Sequence, residues 1–323
     1  MMRMKRVQHL AALLLTAYGT CYATIPPGYY DQANGLRCQQ LKTAMHMICG
    51  YANVLGYGGG EGKTWTGFYQ TDRLEDGSVR DRYSYQQFSF SPMDTELAAG
   101  AVTGMNIEHS FPKSWWDGTE NQAYKDLFNL MPSQSSINQS KSNYPMGVVT
   151  APITDNGCTK IGKGEAGYTL WEPADEWKGD FARSYFYMVT MYSHLPWGGD
   201  QAPRLLQNDE WPTLQPWAYS LYLQWANDDP VDDIERERNE AVYAIQGNRN
   251  PYIDFPGLEQ YVWGAFTNEV FSVDHYLTPD ELTGFIEAIV VNDAKNIYDL
   301  SGRRVSEGSE HGVYISAGRK VSK

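Results

Sequence analysis

The sequence predicts an α+β protein, mainly helical, with a small β element near its middle and a β-rich C-terminal tail. Several windows repeat apolar residues at helical spacing and end at Gly or Pro. The hydrophobic share is 42% and the charged share 20%, enough for a packed core and unlike a disordered chain. From about residue 276 the pattern changes to short strands broken by glycine turns. The 323 residues correspond to about two domains, or one large domain with additions.

Residues 1–23 have the layout of a secretory signal peptide. Arg3, Lys5 and Arg6 form a basic start, Leu10 to Leu15 a short apolar stretch, and small residues lead to Ala23. The remainder divides into a main domain, 24–275, and the tail, 276–323. Residues 36–55 place Leu41, Met45, Ile48, Val54 and Leu55 at helical spacing and stop at the run Gly56 to Gly60. Residues 62–90 read as loops and short strands around Trp65, Phe68, Tyr69 and Tyr83, with Asp72, Glu75, Asp76 and Asp81 as solvated loop charges. Residues 180–195 read as a mostly buried helix, and 213–227 as another. A third opens at Asp229-Pro230, with Asp232 and Asp233 at its positive end, and stops at Gly247. Residues 258–263 add a short helix.

The formal net charge is −13; loss of the three basic signal residues takes it to −16. Bulk positive charge is therefore excluded as a means of gripping nucleic acid, and a small site with its own cation is left. No apolar run reaches the ~18 residues of a membrane span. Cys38 and Cys49 share one helical stretch, ~16 Å apart in rise, too far for a disulfide. Cys158 could pair with either, or all three could be buried thiols.

The stretch from Met105 to Gly147 carries chemistry. Glu108 adjoins His109, and Asp126, Asn129, Asn138 and Asn143 follow. Neighbours on a regular strand point to opposite faces, so a shared Glu108–His109 site calls for a bend, to which Pro112 points. The Pro132-Ser133 step can open a helix that sets Asn138 and Lys141 one turn apart. A carboxylate and a carboxamide oxygen are hard ligands, suited to Mg²⁺ or Ca²⁺ rather than zinc. A neutral histidine beside them can take a proton from water. Together they suit phosphodiester hydrolysis.

This run resembles the bacterial endonuclease I family of exported, sequence-nonspecific, metal-dependent nucleases of the ββα-metal (His-Me finger) type. The resemblance rests on Asn106 to Ser114, Asp126 to Pro132, Asn138 and Lys141 to Asn143. Phe181 to Arg183, Tyr185 to Met188, Asp229 to Val231, Arg238-Asn239, Gln246 to Pro251 and Asp254 follow in the same order. It spans roughly residues 28–265. The resemblance implies a ββα-metal finger embedded in a helical domain and a nuclease acting on DNA, with RNA as a further substrate, to give 5′-phosphate products. It implies His109 as general base, and Glu108 and Asn138 as ligands of Mg²⁺, with Ca²⁺ or Mn²⁺ as alternatives. Asp126 and Asn129 would orient these groups; Lys141, Asn143, Arg183, Asn248 and Arg249 would meet substrate or support the scaffold. Tyr124 stands where some relatives carry glutamate, and a cysteine-bearing insertion that brings some of them an arginine is missing.

The tail resembles the C-terminal tails of proteins exported by the type IX route, in shorter form; a small β appendage without a secretion role is the alternative reading. The expected location is therefore periplasmic, cell-surface or extracellular, with no stable protein partner implied. Against the nuclease stand a catalytically degenerate relative that binds nucleic acid or a surface, a structural secreted protein, and a hydrolase of another phosphodiester.

Overall fold

The computed structural model describes residues 25–278, Glu281 and four short strands of the tail. The expected signal peptide lies outside the described residues. Helix α1 (Cys38–Cys49) buries Leu41, Met45 and Cys49. It stops earlier than the 36–55 periodicity suggests, with Gly50 as C-cap, its N–H making the last i→i−4 bond to His46 O at 2.7 Å. Helix α2 (Thr64–Thr71) replaces the loops and strands expected at 62–90. Its β-favouring residues are overridden by packing: Trp65 and Phe68 are buried, and Gly67 lets the helix approach Leu127 and Leu55 so closely that a Cβ would sit 3.0 Å from each.

Strand β1 (Met105–His109) pairs antiparallel with β2 (Leu130–Gln134) in an unbroken register, Met105 opposite Gln134 and His109 opposite Leu130. Helix α3 (Gln122–Lys125) lies between them in sequence. Helix α4 (Ser135–Lys141) follows β2 directly and packs on both strands. Pro132 and Ser133 are thus strand residues, not a helix start. Proline is admitted because β2 has only one neighbour, so its lost N–H need not serve the other edge.

Strands β3 (Ala151–Asp155), β4 (Thr159–Lys163) and β5 (Thr169–Pro173) form a second antiparallel sheet with β4 central. Hydrophobic periodicity specifies no element there. Asn156 makes the β3–β4 turn by accepting the N–H groups of Cys158 and Thr159 at 3.0 and 2.6 Å.

Helix α5 (Lys178–Met191) is buried on every face from Gly179 onward. It packs against α1, α6 (Pro216–Asp228) and α8 (Pro251–Asp254), and is the centre of the aromatic core. Helix α7 (Asp233–Gln246) begins four residues later than Asp229, since Asp229 instead accepts the Gly179 N–H at 2.8 Å and caps α5. Asp232 caps α7, and Gly247 closes it with φ +77°. Helix α9 (Leu258–Trp263) matches the expected 258–263 segment. In the tail, β6 (Ile297–Tyr298), β7 (Arg304–Val305), β8 (Val313–Ser316) and β9 (Arg319–Ser322) form an antiparallel sheet ordered β7-β6-β8-β9. Cys38, Cys49 and Cys158 are free thiols. Among the described residues no helix is long and apolar enough to cross a membrane.

Candidate functional site

A cleft of about 670 Å³ runs along β1, and all five residues of that strand line it. Consecutive residues can do so because β1 pairs with β2 on one side only. Among the described residues no strand pairs with its other edge, so residues from both faces can line one cleft there. Glu108 and His109 therefore share one site without the bend that strand alternation calls for. Asn138, Lys113 and Asn143 line the same cleft.

His109 is buried, with its ring between Tyr57, stacked at 5.7 Å, and Tyr124, edge-on at 4.5 Å. Its Nε2 lies 2.9 Å from the main-chain carbonyl of Tyr124. A carbonyl only accepts, so Nε2 carries the proton and the Nδ1 lone pair is left as the base. Burial, then the nearby Lys113 ammonium, drives the ring's pKa down to about 3, against the pull of the Tyr124 carbonyl. The imidazole is neutral at physiological pH.

Lys141 is fully buried and donates to Glu108 Oε1 at 2.7 Å, so it neutralises the carboxylate rather than reaching outward to phosphate. Burial pushes the Glu108 carboxyl up; Lys141 and the His109 backbone N–H pull it back. Asn138 comes from α4, one turn before Lys141, with no internal hydrogen bond to its carboxamide among the described residues. Glu108 and Asn138 are the two oxygen donors that could hold a divalent cation here. They are few, and no group of three or more His, Cys, Asp or Glu among the described residues is arranged to bind a metal. One or two protein oxygens facing a wet cleft fit Mg²⁺, which keeps several waters, better than Ca²⁺ or Zn²⁺.

Other sequence-predicted residues lie elsewhere. Asn129 accepts from Phe111 N at 2.7 Å and donates to Phe111 O and Ala123 O, tying the segment after His109 to the one carrying Tyr124. Asp126 is fully buried, accepts from Tyr187, Tyr192, Phe128 N and Gln246, and is not among the residues that line the cleft. Asn143 donates to Ser114 Oγ at 3.3 Å on the cleft rim.

Of the two roles expected for Arg183, Asn248 and Arg249, substrate contact or scaffold support, their partners in the structure are those of a scaffold. Arg183 clamps Glu235 bidentately, Asn248 donates to Cys49 O and Tyr187, and Arg249 is held by Asp254 and Glu240. All three are at most 2% exposed. Asp72 is likewise no loop charge, being buried between Arg82 and Arg238. Sequence reasoning passed over Lys113 and Tyr57. The signal for Lys113 was its place in the Pro112-Lys113-Ser114 run beside the Glu-His pair. Tyr57 had none, because it arrives from a glycine loop fifty residues upstream.

Most of the main domain is similar to known proteins. Residues 37–257 match the endonuclease I family. An extracellular ribonuclease of Bacillus subtilis (strain 168) is 33% identical over 243 residues, covering 73% of this chain and 78% of that protein. Its counterpart from Bacillus amyloliquefaciens is 32% identical over the same length. An extracellular deoxyribonuclease of Aeromonas hydrophila is 25% identical over 134 residues, 42% of this chain and 51% of that protein. With the Glu108–His109 cleft inside the matched span, the chain belongs to the endonuclease I family and is a nuclease, a hydrolase of phosphodiester bonds.

Proposed function

We propose that this protein is an exported, Mg²⁺-dependent, sequence-nonspecific endonuclease that cleaves RNA and DNA to 5′-phosphate products. The observation that carries it is the Nε2-H tautomer of His109, fixed by the Tyr124 carbonyl with Glu108 alongside. In this reading β1, β2 and α4 are a ββα-metal finger. Glu108 and Asn138 would hold the cation, which when bound supplies charge stabilisation to the phosphate and leaving oxygen.

The chain's own residues do the rest. His109 Nδ1 accepts a proton from the attacking water, and the Tyr124 carbonyl steadies the imidazolium that results through Nε2. An anionic phosphate in the cleft raises the ring's proton affinity, opposing burial and Lys113. Lys141 keeps Glu108 ionised in a buried setting, ready to act as an oxygen ligand. Asn129 fixes the spacing between the His109 and Tyr124 segments. RNA stands beside DNA as substrate because the relatives matched over three quarters of their length are named ribonucleases, whereas those named deoxyribonucleases match over about half. Export is supported by the N-terminal signal pattern and by relatives named extracellular or periplasmic.

The test is digestion of supercoiled plasmid and total RNA with Mg²⁺, with EDTA, and by His109→Ala. Loss of the base should lower the rate by ~10²–10⁴-fold. Absence of cleavage by folded wild-type protein under Mg²⁺, Mn²⁺ and Ca²⁺ would refute the proposal.

A further inference from the structure

The cleft has a polyanion to bind and very little positive charge with which to do it. Lys113 is the one lysine or arginine among its lining residues. The adjoining groove, which meets the cleft at Ala101, has one charged side chain, and that is Asp94. Lys141 lies just beneath the floor but its charge is neutralised by Glu108. Lys113 differs. Among the described residues no carboxylate pairs with it. Its Nζ donates to the Tyr124 hydroxyl at 2.8 Å, 4.7 Å from the Tyr124 ring centroid and 5.9 Å from that of Tyr57. An aromatic cradle holds an ammonium in place without cancelling its charge. One of its three N–H donors is used by Tyr124, leaving two for an anion.

Tyr124 is engaged at both ends. Its main-chain carbonyl accepts from His109 Nε2 and its hydroxyl accepts from Lys113 Nζ. One residue therefore fixes the distance between the base and the free cation. We propose that Lys113 contacts the substrate phosphate in this cleft, and that Tyr124 is the positioning residue that sets Lys113 and His109 in register on one phosphodiester. The inference rests on the nuclease reading. It adds that the protein fastens about one phosphate by side-chain charge, so its substrate affinity is local and only weakly salt-dependent.

The experiment measures two things for wild type, Lys113→Gln, Lys113→Arg, Tyr124→Phe and the distant surface variant Lys160→Gln. The first is binding of a fluorescein-labelled single-stranded 12-nucleotide RNA in EDTA across a NaCl series. The second is steady-state cleavage with Mg²⁺. Lys113→Gln should lower kcat/KM by about 10- to 100-fold, the loss expected for one charge-assisted hydrogen bond. It should also flatten the slope of log affinity against log salt by about 0.7, one phosphate's worth for a single strand. Lys113→Arg should restore most of both, and Lys160→Gln, with the same change in net charge, should alter neither. Tyr124→Phe should lower kcat by several-fold with KM nearly constant. A Lys113→Gln protein of wild-type thermal stability, with wild-type slope and kcat/KM, overturns the proposal. Wild type that binds without cleaving overturns the nuclease reading alone, since the EDTA binding slopes still report on Lys113. Wild type that does neither overturns both.

Discussion

Replacing Arg183 with methionine separates a scaffold arginine from a substrate-binding one. Arg183 is 2% exposed, sits in the all-round buried α5, and reaches across to Glu235 on α7 with both ends of its guanidinium. Its Nη1 donates to Ala226 O at 3.3 Å. At 2.8 Å and an effective dielectric of ~20, Coulomb's law gives ~6 kcal/mol of attraction. Breaking one side of a buried pair costs about 3–5 kcal/mol, because the partner charge is left uncompensated. Methionine fills much of the volume, so the loss is mainly electrostatic.

The pH dependence follows from the partners. Burial pushes the Glu235 carboxyl up, and Arg183 opposes it; Asp180, 3.9 Å from the same guanidinium, is also raised by burial and opposed first by Arg82. Without Arg183 both rise further. An acid whose folded pKa lies above its unfolded one destabilises the fold as pH rises through the folded value. The deficit of Arg183→Met should therefore be larger near pH 8.5 than near pH 6. Urea unfolding followed by tryptophan fluorescence at the two pH values measures it. A variant with wild-type stability, raised KM and a flatter salt slope would refute the scaffold assignment and return Arg183 to the substrate.

Three further outcomes follow. Arg238 and Arg82 outweigh burial and hold the Asp72 carboxyl well below the usual carboxylate range, so it contributes stability above about pH 4 that is lost as pH falls through its folded value; Asp72→Asn should be less stable by about 3–5 kcal/mol at pH 7 and show a shallower acid limb in a pH series of urea midpoints. Asp126→Asn places an amide donor among four groups that all donate, and should lower stability by about 1.5–3 kcal/mol in the same assay. Thiol titration in guanidinium without reductant should find Cys38, Cys49 and Cys158 all free, with Cys49 and Cys158 unreactive in the native protein; a missing pair of thiols would contradict the fold around them.

The helices were legible where one face repeats and a chemical stop follows: α7 has its Asp232 cap and Gly247, and α9 its short apolar run. They were illegible where tertiary contact decides. α2 is a helix because Gly67 and Trp65 meet a core that comes from distant parts of the chain. At the site, Glu108, His109 and Asn138 were readable from residue type and order. The free edge of β1 was not, since strand alternation says nothing about whether a neighbouring strand exists. Arg183 and Arg249 show the converse. A sequence reports that an arginine is present, but not that Glu235 or Asp254 already occupies it.

The acidic net charge takes on a different meaning with the pairs in view. Arg82, Arg183, Arg238 and Arg249 are all committed to interior carboxylates, so they hold helices α5 and α7 and the strand pair together and add nothing to an outer field. Each pair withdraws a carboxylate along with its arginine, so the net charge is nearly unchanged while fewer basic groups are free to meet phosphates. Within the cleft itself few cationic side chains are available to phosphates. The protein can act on one phosphodiester that enters the cleft, where Glu108 is already balanced by Lys141 and the His109 ring is already neutral. The positive charge there would come from Lys113 and from the cation that Glu108 and Asn138 are proposed to hold. Weak grip and local chemistry suit an enzyme that meets many sequences and must leave each one quickly, and they set the salt dependence of its rate as the quantity that tests the arrangement.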